Sequence, residues 1–263
     1  MLPALLLGAT LVVADTLPTG QVIPEVKVTA DPAETYALYL PKSYSPARAW
    51  PLILAFDPGG RGRTPVERYQ AAAEMYGVIV AGSNNSRNYS RENDRAVVAM
   101  ATDVLARFHV DERRVYTAGM SGGARVAMGT ALASSGIAGV IASSAGFPDG
   151  TPRASVPFLV YGTAGTEDFN HLEMRRLDQK LTTPHHLAIF QGGHTWLGFL
   201  PDYNPYDLAS NGGKSYELLL WQLTLCAAAF AVMLLGPGGL ALDGLLFAKA
   251  SAPPPKPPAP KPQ

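Results

Sequence analysis

The chain has 263 residues, 47% of them hydrophobic, which suits one catalytic-size domain with a substantial core and tails. Lys+Arg and Asp+Glu both number 21, so no long-range field favours nucleic acid or a strongly charged polymer. The single cysteine, Cys226, excludes an intrachain disulfide framework, and with no C-x-x-C pair or H-E-x-x-H motif there is no support for a metal or a bound cofactor.

In chain order, residues 1–14 carry an apolar run from Leu2 to Val13 and end in Val12-Val-Ala14, an acceptable small-residue cleavage pattern. This is the pattern of a signal peptide and implies export to the periplasm or exterior, although no Lys or Arg precedes the run. Residues 15–34, with prolines and alternating Val/Ile, read as a leader or an edge strand. From Thr35 the pattern becomes regular. Tyr36–Leu40 alternates as a strand, Pro41–Trp50 is turn-rich, and Pro51–Phe56 is continuously apolar, as in a strand buried on both faces. Gln70–Tyr76 reads as a short helix, Gly77–Ala81 as a buried strand, Arg95–Phe108 as a helix and Val115–Ala118 as a strand. Ala124–Ser134 is a small-residue helix for which Gly136 is the expected C-cap. Ile137–Ala142, Pro157–Gly162 and His186–Phe190 supply three more strands, with a helix at Leu172–Leu181 between the last two. Strands alternating with helices imply an α/β fold, a mostly parallel central sheet covered on both faces, with ligands bound at the carboxyl ends of the strands.

The regular pattern, and with it the expected catalytic domain 35–200, gives way to Pro/Tyr/Asn/Gly loop chemistry over 201–217. Leu218–Leu235 then runs for 18 residues without a charge, about 27 Å as a helix and marginally enough to span a bilayer. It reads either as a membrane anchor or as the closing helix of the fold. The Pro/Ala/Lys tail 251–263 should be extended and unpacked, and its lysines favour a cytoplasmic side if the segment spans.

The chemistry centres on Gly119-Met-Ser121-Gly-Gly123, between the strand Val115–Ala118 and the helix from Ala124. In G-x-S-x-G the serine sits on a turn so sharp that its backbone is strained, and a Cβ two residues to either side would collide with the neighbouring strand and helix. The turn lifts the Ser121 hydroxyl clear of the sheet. It also leaves the Gly122 N–H at a helix N-terminus, facing developing negative charge. A serine hydroxyl needs a base to remove its proton during attack, and histidine has the suitable intrinsic pKa. Of the five histidines only His194 lies between glycines and an aromatic directly after a buried strand, in Gln191-Gly-Gly-His194-Thr-Trp196. The acid lies in Gly165-Thr-Glu-Asp168, where spacing alone does not separate Asp168 from Glu167. The order is therefore serine, acid, histidine.

From about Thr35 to Phe199 the chain resembles a minimal α/β-hydrolase. It is most similar to secreted esterases of the dienelactone-hydrolase and polyhydroxybutyrate-depolymerase-like group. The resemblance rests on Leu40-Pro-Lys-Ser-Tyr44, Phe56-Asp-Pro-Gly-Gly60, Gly119–Gly123, Gly165–Asp168 and Gly192-Gly-His194. It implies Ser121 as nucleophile, His194 as general base and then acid, and Asp168 as the group that orients the imidazole. Asp168 is favoured over Glu167 because it completes the Gly-Thr-x-Asp of such esterases. The second oxyanion donor should come from the loop after Phe56, where these esterases often carry His-Gly and this chain has Asp57-Pro58-Gly59-Gly60. Pro58 has no N–H, which leaves Gly59 as the expected donor, with Gly60 next and a plain glycine turn as the alternative.

Only 14 residues separate Ala142 from Pro157, where lipases with a lid place an inserted cap, so no lid domain is expected. Ser83-Asn-Asn-Ser-Arg-Asn-Tyr89 follows another strand and is either a hydrogen-bonding surface for a polar substrate or a solvated loop. The resemblance implies a serine hydrolase cleaving small-molecule or polymeric carboxylic esters through an acyl-enzyme. The alternatives are a serine peptidase or thioesterase on the same fold, or a catalytically silent domain that binds a ligand or partner.

Overall fold

A computed structural model describes residues 17–196 of the chain. Residues 1–14, the expected loop at 201–217, Leu218–Leu235 and the tail 251–263 lie outside the described residues. Among those described, no helix is long and apolar enough to cross a membrane.

Eight strands form one sheet: β1 (Val22–Lys27), β2 (Thr35–Tyr39), β3 (Trp50–Phe56), β4 (Ile79–Ser83), β5 (Val110–Met120), β6 (Ile137–Ser143), β7 (Leu159–Gly165) and β8 (His185–Phe190). Their order across the sheet is β1-β2-β4-β3-β5-β6-β7-β8. The pairs β1–β2 and β2–β4 are antiparallel, and every pair from β4–β3 to β7–β8 is parallel. The helices α1 (Arg63–Tyr76), α2 (Asn93–Arg107), α3 (Gly122–Ala133) and α4 (His171–Lys180) fill the crossovers. This is the α/β-hydrolase architecture expected from the alternation of strands and helices.

The two faces of the sheet follow from strand alternation. Tyr36, Leu38, Leu52, Leu54 and Phe56 point to one face and pack with α2 through Met100 and Val104, α3 through Ala127 and Met128, and α4 through Met174 and Leu177. Ala37, Tyr39, Ile53, Ala55 and Val80 point to the other, where α1 supplies Val66, Tyr69 and Ala73. All seven residues of β3 are buried, as its continuous apolar run requires.

Several boundaries differ from those read in the sequence, each for a local reason. Helix α1 starts at Arg63 rather than Gln70 and carries Pro65 in its first turn, where a missing N–H costs nothing. It closes on Gly77 in the left-handed conformation (φ 66°), whose N–H donates to Ala73 O, so Gly77 belongs to the helix cap and not to β4. Gly136 is not the cap of α3. That helix ends at Ala133, and Ser134 leaves it in extended conformation (φ −126°, ψ 131°). Strand β5 begins at Val110, through the charged stretch Asp111–Arg114. Of the two readings of residues 15–34, the strand is found: Val22–Lys27 is the antiparallel edge strand, with Pro24 at its irregular point between Ile23 and Val26.

Candidate active site

Strand β5 delivers Ser121 at its carboxyl end and α3 leaves at once, a bend that only the flanking glycines permit. A Cβ on Gly119 would overlap the backbone of Gly123, and a Cβ on Gly123 would overlap the carbonyl of Phe56 at the end of β3. Ser121 itself holds φ 54° and ψ −122°, a region that costs a non-glycine residue on the order of 1–3 kcal/mol. The bend is held by the Ser121 N–H donating to Ser143 O at 2.8 Å across to β6.

Three sequence-predicted residues meet here. The Ser121 Oγ lies 2.8 Å from His194 Nε2, and His194 Nδ1 lies 2.8 Å from Asp168 Oδ1. A carboxylate only accepts, so Nδ1 carries the proton and the bare Nε2 faces the serine hydroxyl. The Asp168 side chain is fully buried and that of His194 is 19% exposed, so the acid is shielded from water while the imidazole keeps some access to it. Glu167 is exposed, and its backbone N–H donates to Gly192 O.

The acid and histidine loops are fixed to each other and to β6. A Cβ on Gly165 would overlap the carbonyls of Gly192 and Gly193, so the end of β7 and the histidine loop touch backbone to backbone. Asp168 Oδ1 also accepts the Asn170 N–H at 2.7 Å, and the Asn170 carboxamide donates to Ser144 O at 2.8 Å. Ser144, itself at φ 59°, donates through Oγ to Thr195 O, one residue beyond His194. Asp168 Oδ2 is buried with no hydrogen-bond partner among the described residues. The Asn170 and His194 donors therefore offset the cost of burying this carboxylate.

The loop after β3 departs from the expectation for Gly59. Asp57, fully buried, turns its carboxylate back on its own loop: Oδ1 accepts the Gly59 N–H at 2.8 Å and Arg61 Nε at 3.0 Å. The Gly60 N–H donates to Asp57 O at 3.1 Å. With the Gly59 N–H committed to a buried carboxylate and the Gly60 N–H to a backbone carbonyl, neither is free for a substrate oxygen in this geometry. The Gly122 N–H stands at the first turn of α3, where no intrahelical acceptor exists.

Four residues at the site were not singled out by the sequence. Trp196, buried, donates from Nε1 to Asp57 Oδ2 at 3.2 Å and meets Tyr69 edge-on, so Asp57 ties the β3–α1 loop to the histidine loop. Asn170 and Ser144 brace the acid and histidine loops as described above. Phe169, 75% exposed, stacks on the His194 ring with centroids 3.9 Å apart. The polar position in Gly-x-x-Asp-x-Asn and the aromatic after His194 were the only available signals.

No protein-family model matches the sequence, and a search of curated proteins finds no match. Solved structures match it in fold. A hyperthermophilic esterase from the archaeon Pyrobaculum calidifontis aligns with TM-score 0.56 and 13% identity over 82% of this chain and 86% of its own. A thermophilic esterase from the planctomycete Thermogutta terrifontis, in a butyrate-bound structure, aligns with TM-score 0.56 and 17% identity over 84% of this chain and 97% of its own. The same Thermogutta esterase phosphonylated by cyclosarin aligns with TM-score 0.55 and 18% identity over 82% and 95%. At these identities the likeness is one of fold: the chain has the α/β-hydrolase fold of these esterases.

Proposed function

We propose that the protein is a serine hydrolase that cleaves carboxylic esters through an acyl-enzyme. The observation that carries this reading is the unbroken Ser121–His194–Asp168 hydrogen-bond relay, 2.8 Å at each step, beginning at a serine in strained backbone conformation. Ser121 Oγ attacks the ester carbonyl while His194 Nε2 takes its proton, and the carbonyl oxygen becomes an oxyanion at the Gly122 N–H. The tetrahedral intermediate collapses as His194 returns that proton to the departing alcohol. Water, deprotonated by the same Nε2, then attacks the acyl-serine and releases the acid. Asp168 keeps the imidazole in the tautomer this requires and stabilises the imidazolium. The esterases of like fold support an ester substrate, and the butyrate and cyclosarin forms of the Thermogutta protein suit a short acyl group and a reactive nucleophile.

The test is covalent labelling with a fluorophosphonate, followed by a panel of short-chain aryl esters, acyl thioesters and peptides. We expect a single adduct on Ser121 and turnover fastest on the esters. Ser121→Ala should lose the adduct and about 10⁴–10⁶ in kcat with folding retained. Labelling elsewhere, or turnover unchanged in Ser121→Ala, overturns the reading.

A further inference from the structure

The proposed reaction leaves a gap. An oxyanion hole needs a second donor converging with the Gly122 N–H, and the donors expected after β3 are engaged elsewhere: Pro58 has no N–H, the Gly59 N–H is bound to the Asp57 carboxylate, and the Gly60 N–H to the Asp57 carbonyl. On the other side of Gly122 stands a different polar group. The carboxamide of Asn88 packs directly against the Gly122 Cα, so closely that a Cβ there would overlap Asn88 Oδ1 and lie 3.2 Å from Nδ2. Its residue is exposed, and its side chain makes no hydrogen bond to the described residues in its resting position, unlike the neighbouring asparagines Asn84, Asn85 and Asn93. It is a donor without an assignment, beside the atom that the oxyanion must approach.

The segment carrying Asn88 is built to hold it there. The Asn88 N–H donates to Pro58 O at 2.8 Å, and Arg87 forms an isolated antiparallel bridge with Gly59. Arg87 is clamped in turn by the Asn93 side chain, which accepts its N–H at 2.9 Å and donates to its carbonyl at 3.0 Å. At the root of the loop, Ser83 Oγ accepts the N–H groups of Asn85 and Ser86. The β4–α2 loop is thus stitched onto the β3–α1 loop, and Asn88 is its point of contact with the nucleophile turn.

Resting on the ester-hydrolase reading, we infer that the Asn88 carboxamide is the second oxyanion donor, a side chain taking the place of the missing backbone N–H. Oδ1 is the end nearer Gly122, and a half-turn of the planar amide about its Cβ–Cγ bond exchanges it for Nδ2–H without moving the backbone. The anionic oxygen on the Gly122 N–H selects the donor end. Asp57 and Asn88 are then two halves of one arrangement: the carboxylate draws the Gly59 N–H inward, and the carboxamide supplies what it no longer offers. The Gly122 position also gains a sharper requirement, since any side chain there would displace the donor.

The experiment compares wild type, Asn88→Ala and Asn88→Asp on a short-chain aryl ester, together with inhibition by a trifluoromethyl ketone, which adds to Ser121 as a tetrahedral oxyanion. Removing one such donor should lower kcat about 100- to 1,000-fold with KM within about 3-fold, and should weaken the ketone by a similar factor. Asn88→Asp, which puts an acceptor and a negative charge at the same place, should fall at least as far as Asn88→Ala. The side chain is exposed and makes no bond to the described residues, so both variants should keep the wild-type melting temperature and still accept a fluorophosphonate on Ser121. A kcat within about 3-fold of wild type in Asn88→Ala overturns the assignment, as does a loss confined to KM. Failure of the ester-hydrolase reading is distinct, because wild type itself would then neither turn over esters nor label at Ser121.

Discussion

Asp168 and Glu167 are adjacent carboxylates of the same intrinsic chemistry, and burial separates them. Asp168 is fully buried and 2.8 Å from His194 Nδ1, whereas Glu167 is exposed and enters the site only through its backbone N–H on Gly192 O. Asp168→Asn should therefore lower kcat by about 10⁴, since an amide facing Nδ1 permits the wrong tautomer and cannot stabilise the imidazolium. Glu167→Gln should leave kcat within about 3-fold, because solvent screens a charge at an exposed position. Steady-state kinetics on both variants checks this, and the reverse ranking would transfer the role to Glu167. Asp57 shows the opposite relation between residue type and place. The sequence marks it only as standing where similar esterases carry histidine, yet it accepts hydrogen bonds from Gly59, Arg61 and Trp196.

Among the elements, the edge of the sheet depends on one carboxylate contributed by a helix. Asp103 of α2 accepts the Thr29 N–H at 2.7 Å through Oδ1, and through Oδ2 the Tyr36 hydroxyl at 2.8 Å and Arg107 Nε at 2.6 Å. Arg107 continues the network to Lys27 O and Thr29 Oγ1, so α2, β2 and the end of β1 close on one buried charge. Burial alone would raise the Asp103 carboxyl. The hydrogen bonds from Thr29, Tyr36 and Arg107 outweigh it and hold the group below its ordinary value of 3.8. A carboxyl depressed by folding stabilises the native state above its unfolded pKa, and the benefit is lost as pH falls through the lower folded value. Asp103→Ala should cost about 3 kcal/mol near neutrality by leaving the Tyr36 hydroxyl and the Thr29 N–H without their acceptor and Arg107 without its counter-charge. Its deficit in melting temperature should shrink as pH is taken from neutrality to well below 3.8 and wild type itself loses the charge. Thermal unfolding of both proteins across that range is the measurement, and a deficit independent of pH would contradict the account.

At this same scale the sequence was most and least legible. Continuous apolar runs such as Pro51–Phe56 announced central strands because their period needs no partner to be recognised. Strand β1 and the first half of β5 were harder. Pro24, Glu25 and Lys27 leave that stretch open between a leader and an edge strand, and the run Asp111–Arg114 falls outside the strand read at Val115–Ala118, because only a neighbouring strand supplies the pairing. The first turns of α1 were hidden by Gly59, Gly60, Gly62 and Pro65, residues of a loop that are equally at home at a helix start. Of the site, Ser121, His194 and Asp168 were visible as local motifs. The Asp57–Gly59 turn and the approach of Asn88 to Gly122 were not, since both arise from how separate loops fold onto one another.

Across the whole molecule, the connection from β6 to β7 decides how substrate reaches Ser121. Residues 144–158 contain no helix or strand, and they are held down against the helices on one face of the sheet. Arg125 of α3 donates to Phe147 O at 2.6 Å and forms a two-point ion pair with Glu173 of α4, and Glu173 Oε1 also accepts the Gly146 N–H. Phe147 is buried, and the Arg153 guanidinium lies over its ring at 4.9 Å. A segment with its backbone and its aromatic both committed to the protein body is not poised to swing over the nucleophile. The side chain against the relay agrees: Phe169, stacked on the His194 ring, is an exposed aromatic. A lipase lid stores buried apolar surface that an oil–water interface releases, and the described residues contain no such element. Initial rates on a short-chain ester should therefore follow simple saturation up to and through the solubility limit, with no step as droplets or micelles form. The check is a rate curve spanning that limit, run with a detergent-free control. A sharp rise at the onset of the interface would mean that the opening is covered until an apolar surface draws the cover away.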